Sequence, residues 1–492
     1  VTPEISRRTM MKFAGAAAGA AGIGTAVATA PASAAGAAFA HPGLLHTRAD
    51  LDRMAAKVKA GAAPYTAGFA KLTANRHAQS GWTANPQETV SRGAGGPQNY
   101  TILYNDIHAA YQNALRYHAG GDTAHADTTV AILNAWSAKL TSLAGSADRF
   151  LAAGLYGYQI ANAAELVRDH GDFELERFQK MLLDVFYPLS EDFLANHNGA
   201  VVSNYWTNWD LCNMACVLAT GIFCDDKAIV DRAVEYFKHG EGLGAIKNAI
   251  PVVHDDGLAE WLEAGRDQGH ALLGIGLMGT FCEMAWNQGI DLYGYDDSRF
   301  LKGAQYVAKW TMGGDVAYTE NTREKGAING WSGTETATDA AAVNPAMTRP
   351  IWAMIANHYT KRRDLSASYV TQIAAKTAPE GGGGDYGPNS GGYDQLGFGT
   401  LAFTRDKATA DETAASPTAS ASAASGSTGS AGASDSSPQP SPSPSVQGSA
   451  GDDLAATGSS DLPLWTAATG ITAVAGGLLL LRRRGQARRD AD

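Results

Sequence analysis

The stretch EAGRDQGHALLGIGL, residues 263–277, crowds Glu263, Arg266, Asp267, Gln268 and His270 into about two turns and then becomes apolar. A surface helix would carry such groups along one face, and a core helix would carry none. At the mouth of a buried helix an imidazole can exchange a proton near neutral pH, and a guanidinium can hold a carboxylate. A purely structural use competes with this: Glu263 and Arg266 stand three apart and can form an ion pair on a helix. A third use is hydrolysis of a glycosidic bond by inversion, which needs two opposed carboxylates with room for a water. Glu260, Glu263, Asp267 and Glu335 are available, but their spacing selects no pair.

The elements that must position these groups are helical nearly throughout. Apolar periodicity predicts helices over 48–59, 64–74, 99–118, 123–142, 147–169, 173–197, 208–222, 226–238, 260–286, 299–312, 345–360 and 365–375. Strand signals are weak. Segments 147–165, 208–222 and 268–286 are apolar on most sides, whereas 123–142, 173–190, 226–238 and 299–310 have charged faces. Helices apolar all round are buried, and one-faced helices cover them. This inner–outer alternation predicts an all-α fold, an incomplete (α/α) toroid of helical hairpins. An open solenoid would need a self-similar repeat, and none is present.

In a toroid the inner helices run parallel, so their N-termini share one rim. Asn208 opens one inner helix, Arg266 and His270 lie near the start of another, and Arg349 starts a third. The loop 313–346 returns to the same rim with Tyr318, Arg323, Trp331 and Glu335, and Tyr100 and Tyr104 open the helix at 99. Tyr293 and Tyr295 follow the other end of an inner helix and are set aside for chemistry. Asn208 has a plainer reading as a helix N-cap, and His254 as a loop residue. Asp210 and Asp267 are expected to orient their neighbours.

The ends of the chain read differently. Arg7 and Arg8, a weakly apolar run and an Ala-x-Ala site at 32–34 fit a twin-arginine export signal over 1–35. The folded domain is expected over 40–405, followed by a Ser/Ala/Pro/Gly-rich linker over 406–453 that cannot offset its ordering entropy. Over 454–492 the order LAATG, apolar span and arginine cluster resembles a sortase sorting signal, with a plain membrane anchor as the alternative. The expected location is extracellular, at the cell wall, with sortase and peptidoglycan as partners. A net charge of −11 with no long basic run argues against nucleic acid. Cys212, Cys216, Cys224 and Cys282 lack the spacing of a disulfide scaffold and are read as small buried hydrophobes. No ligand cluster compels a metal, no cofactor is expected, and the chain is expected to act as a monomer.

The blocks HPGLLHTRADLDRM, SNYWTNWDLCNMA, EAGRDQGH, WNQGIDLYGYDD, RPIWAMIANHY and PEGGGGDYGPNSGGYDQLGFG together resemble the alginate lyase-like family of polysaccharide lyases. The resemblance spans 40 to about 404 and implies an incomplete toroid that cleaves uronate polymers by β-elimination. It implies Asn208 as neutraliser of the substrate carboxylate, His270 as base or neutraliser, and Arg266 as a carboxylate-binding or supporting group. Tyr318 is the expected acid on topology, with Tyr205 as the fallback. Gln268, Tyr205, Trp209, Arg349, Tyr104 and Trp331 are expected to bind substrate. The chain departs from the best-known alginate lyase pattern at two places. Val202-Ser203 stands where an Asn-His pair would precede Tyr205-Trp206, and Leu273 stands where a Tyr would follow Arg266.

Overall fold

A computed structural model describes residues 39–94, 96–326, 332–386 and 393–409, apart from the side chains of 385 and 386. The expected export and sorting segments, the expected linker beyond residue 409 and Trp331 lie outside the described residues. Among the described residues, no helix is long and apolar enough to cross a membrane.

The chain runs α1 (Arg48–Lys59), α2 (Tyr65–Thr73), β1 (Thr89–Arg92), α3 (Tyr100–Gly120), α4 (Thr123–Lys139), β2 (Ser142–Gly145) and α5 (Asp148–Glu165). It continues through α6 (Leu175–Met181), α7 (Tyr187–Asn196), α8 (Thr207–Phe223), α9 (Lys227–His239), α10 (Ile246–Ala249) and α11 (Gln268–Asn287). α12 (Tyr295–Thr311), β3 (Asn321–Gly326), β4 (Ser332–Ala337), α13 (Trp352–Asn357), α14 (Ser368–Thr377) and α15 (Gly399–Ala402) complete it. All of α8 is buried, as is nearly all of α5 and α11, while α9 and α14 bury one face. The architecture is the expected incomplete toroid, with α3, α5, α8, α11 and α13 inside.

The inner helices approach closely where the sequence supplies small residues. A Cβ on Gly154 of α5 would lie 2.8 Å from the backbone nitrogen of Asn213 in α8, and one on Gly157 would overlap the Cys216 sulfur. Cys212 and Cys216 pack this seam, and all four cysteines are free, with Cys212, Cys216 and Cys282 buried.

Three expectations are corrected. The segment expected as one helix over 260–286 is broken. Leu262–Gly265 is a 3-10 turn, and α11 begins only at Gln268. Asp267 is the cause, since its carboxylate accepts the backbone N–H of His270 and so caps the helix. Arg349 precedes α13 rather than starting it. The loop 313–346 holds an antiparallel hairpin, β3–β4, with Arg323 opposite Glu335. β1 and β2 add a short parallel pair.

That hairpin fixes the entry to α8. The Arg323 guanidinium donates to the carbonyls of Asn204 at 2.6 Å and Ser203 at 3.1 Å, lies 4.0 Å over the Trp206 ring and pairs with Glu335. Val201 N donates to Gly326 O at 2.9 Å. A planar fork with several donors suits such a splint better than an ammonium would.

Candidate active site

The site grows from the start of α11. One oxygen of Asp267 accepts the His270 backbone N–H at 2.8 Å, and the other holds His270 Nδ1 at 2.7 Å. A single carboxylate therefore both starts the helix and sets the orientation of the imidazole. Burial alone would raise the Asp267 pKa, but the hydrogen bond and charge of His270, followed by Arg266, hold it at about 2. Asp267 is thus ionised throughout the working range.

Arg266 pairs with Glu263 at 2.8 Å, lies 3.5 Å from Asp267 and sits 5.6 Å from the Trp206 ring centre. Glu263 is fully buried and also accepts the Thr207 hydroxyl at the first turn of α8. The structural reading of Arg266 is therefore realised, on a 3-10 turn rather than a helix. Asn208 is the next residue of α8 and is fully buried. The position before the helix is Trp206, so Asn208 is not an N-cap. Asp210 accepts from Tyr236 Oη at 2.7 Å and Gly244 N at 3.2 Å and lies 3.1 Å from His197 Nε2.

Tyr318 crosses from the long loop and donates to the Leu262 carbonyl at 3.1 Å. A Cβ on Gly265 would overlap its hydroxyl, so the glycine makes room for it. Burial, then the Glu260 carboxylate, push the Tyr318 hydroxyl up to about 12, so it holds its proton. Thr207, Glu263, Arg266, Asp267, His270 and Tyr318 thus form one chain of contacts at this rim, beside Asn208.

A second layer adjoins it. Arg349, 2% exposed, lies 3.7 Å from the equally buried Asp394. Burial raises the Asp394 carboxyl, against the nearby charges of Arg349, Arg92 and His270. Arg92 donates to Tyr156 Oη at 3.0 Å and lies 5.1 Å from the Tyr100 ring centre. Tyr104 stacks on Tyr393 at 4.5 Å, and Tyr393 lies edge-on to His108 at 4.9 Å. Burial, then Tyr100 and Tyr393, push the Tyr104 hydroxyl up to about 12. Arg92, Tyr156, Tyr393 and Asp394 escaped the reading of single residues. Tyr393 and Asp394 lie in the glycine-rich GGYDQLGFG block, whose unusual composition was their one signal.

Three expected substrate contacts are otherwise engaged. Gln268 spends both ends of its amide on the backbone of Asn344, donating to its carbonyl at 3.1 Å and accepting its N–H at 2.7 Å. It clamps the loop. Trp209 is 1% exposed, packed against Phe193 and Tyr205, and belongs to the core. Tyr205 is 5% exposed and its hydroxyl accepts from Asn198 at 2.9 Å. Apolar rings in this corner have more surface to bury against each other than toward the rim.

Residues 74–316 match the model of the alginate lyase family. That stretch, just under half of the chain, is similar to the alginate lyase family. Its enzyme class is polysaccharide lyase. The stretch contains Asn208, Arg266 and His270, and stops just short of Tyr318. No curated protein matches the chain. Among solved structures, alginate lyase A1-III from Sphingomonas species A1 is 17% identical, with a TM-score of 0.41 over 55% of this chain and 79% of that one. An alginate lyase from Bacteroides ovatus is 14% identical, with a TM-score of 0.41 over 55% and 84%. A variant of A1-III in complex with a tetrasaccharide is 13% identical, with a TM-score of 0.45 over 76% and 98%. Likeness of this degree assigns no residue its role.

Proposed function

We propose that this lyase cleaves a uronate-containing polysaccharide of the alginate or glucuronan type by β-elimination. The observation that carries the reading is the Asp267–His270 pair at the mouth of α11, in contact through Arg266 and Gly265 with Tyr318 and beside Asn208.

The chemistry makes definite demands. The C5 proton of a uronate is too weakly acidic while its carboxylate is charged, so a donor must neutralise that carboxylate and stabilise the enolate-like intermediate. Asn208 takes this part. His270, its Nδ1 held by Asp267, takes the C5 proton as base. The electron pair of the broken C5–H bond forms the C4=C5 double bond, and the C4–O bond breaks. Tyr318 protonates the leaving oxygen, a role suited to a hydroxyl that stays protonated. Arg266, paired with Glu263, supports the anionic end of the site from behind, Tyr104 lines the approach, and Arg349 with Asp394 backs it from within.

Hydrolysis is disfavoured by the fate of its carboxylates. Glu263 is tied to Arg266 and Thr207, Glu335 to Arg323, and Glu260 accepts the Thr319 N–H at 2.7 Å. Asp267 is held at about 2, far too acidic to donate a proton near neutrality. The order of export signal, linker and LAATG segment in the sequence supports an enzyme tethered to the wall, so that products are released close to the cell.

The test is a scan of alginate, glucuronan, hyaluronan, chondroitin and pectate, following the ultraviolet absorbance of the unsaturated product. A rise on one polymer, lost in His270→Ala and Asn208→Ala, is expected. New reducing ends without absorbance would replace the reading with hydrolysis. Silence in both assays with retained polymer binding would leave a binding module.

A further inference from the structure

At the opposite rim, where α11 ends, a cavity of about 350 Å³ is lined by Arg53, Trp286, Arg362, Arg405, Asp406 and Lys407. Trp286 follows His270 by sixteen residues of one helix, which places the cavity roughly 24 Å from the proposed base. Its volume falls at the low end of small-molecule sites, about 300–1,000 Å³.

The charges around it do not balance. Arg362 holds Glu283 with two contacts, at 2.8 and 2.9 Å, and Arg53 holds Asp50 at 2.6 Å. Arg405 shares those same two carboxylates at 3.3 and 3.9 Å and donates to the Phe403 carbonyl at 3.5 Å. Among the described residues, three buried or nearly buried guanidiniums thus face two buried carboxylates. Asp406 pairs with Lys57 and Arg363 with Asp291, while Lys407, on the cavity wall, has only a solvent-screened surface pairing with Asp364. His358, buried and crowded by arginines, is kept neutral. Burial and then the neighbouring Arg362 pull Arg405 down to about 10, the behaviour of a cation short of counter-charge.

We propose that this cavity is a second binding site, distant from catalysis, that takes a single oxyanion group against Arg405, Arg362 and Lys407. The group is the carboxylate of a uronate sugar or a free inorganic phosphate or sulfate. One added negative charge would match the third guanidinium, and a buried unmatched charge is costly to leave as it is. The proposal does not depend on the β-elimination reading.

The test uses the full chain, with glucuronate, inorganic phosphate, glucose and chloride compared at constant ionic strength by thermal unfolding and calorimetry. Saturable stabilisation by phosphate and glucuronate, absent with glucose and chloride, is expected. It should persist in His270→Ala, which separates this site from the proposed catalytic one, and weaken about tenfold or more in Arg405→Gln. Stabilisation by phosphate alone would keep the oxyanion site and remove the sugar as its source. Lys407→Glu, on an exposed side chain, should weaken binding about threefold or more even where Arg405→Gln fails to fold. No anion-specific stabilisation, or the same affinity in Lys407→Glu and in folded Arg405→Gln, would overturn the proposal.

Discussion

The two ends of the inner helices handle charge in opposite ways. At the N-terminal end of α11, Asp267 holds an imidazole whose ring keeps 13% of its surface exposed. Tyr104 and Tyr318 there are only partly covered. At the C-terminal end the polar groups turn inward. Glu283 is clasped by Arg362, and Tyr293 stacks on His358 at 3.6 Å with both side chains buried. The difference lies in how the groups are held: at the N-terminal end one carboxylate orients a partly exposed imidazole, whereas at the C-terminal end buried carboxylates are each clasped by guanidiniums.

The largest expected effects lie on either side of this divide. His270→Ala should lower kcat by at least about a hundredfold with little change in the melting temperature, and Asn208→Ala should lower kcat similarly with some loss of stability, because Asn208 is fully buried. Arg362→Ala should do the reverse of His270→Ala, lowering stability by about 1–3 kcal/mol while kcat per folded molecule holds. Glu283 then loses its two direct charged hydrogen bonds and keeps Tyr293 and the more distant Arg405. Parallel kinetics and calorimetry check both, and a variant at His270 or Arg362 that moved the two quantities together would break the distinction.

Asp267→Asn sharpens it further. The cap survives, because Asn also caps helices, but the imidazole loses its charged partner. A fall in kcat of about tenfold or more at near-constant melting temperature is expected. An unchanged pH–rate profile would remove Asp267 from the mechanism. Gly265→Ala should displace the Tyr318 hydroxyl, and steady-state kinetics should show kcat falling more than KM rises.

Stability against pH is a smaller effect. Burial, and for His108 also the neighbouring His77, lower the folded pKa of His46 to about 4 and of His108 to about 3. The unfolded chain takes up protons at both from pH 6.5 downward while the folded chain does not. Stability fully present above pH 6.5 is therefore lost as pH falls toward those values. Glu380, raised to about 7 by burial, slopes the other way between pH 4.5 and 7, as one group against two. A melting temperature that falls from pH 7 to 5 is expected, and a flat or rising one would count against neutral buried histidines. The smallest effect is Gln268→Ala, which should loosen the loop at Asn344 by about 1–2 kcal/mol and leave chemistry nearly intact. A large loss of kcat there would return Gln268 to the substrate.

Much of this was written locally. The alternation of all-apolar and one-faced segments is a property of neighbouring residues, and it determined the helices, their inner or outer place and the shared rim. The Asp267 cap was also legible, since an Asp just before an apolar helical run is a start signal. It was overlooked because the charges around it were read as one continuous helix. The hairpin within 313–346 was hidden by its content, NTREKG and SGTETA, which lacks the apolar alternation of a half-buried strand.

The sequence by itself determined the helical layers and the cluster of reactive residue types at the start of α11, because periodicity and capping act over a few residues. Only the tertiary structure decided how those types are used. Gln268 became a clamp because Asn344, 76 residues away, presents both backbone groups to it. Trp209 became core because Phe193 and Tyr205 close over it. Arg349 lies against Asp394, which the segment between α14 and α15 carries back to the rim. Such partners are chosen by proximity in space, which burial of the apolar layers imposes and local spacing does not record.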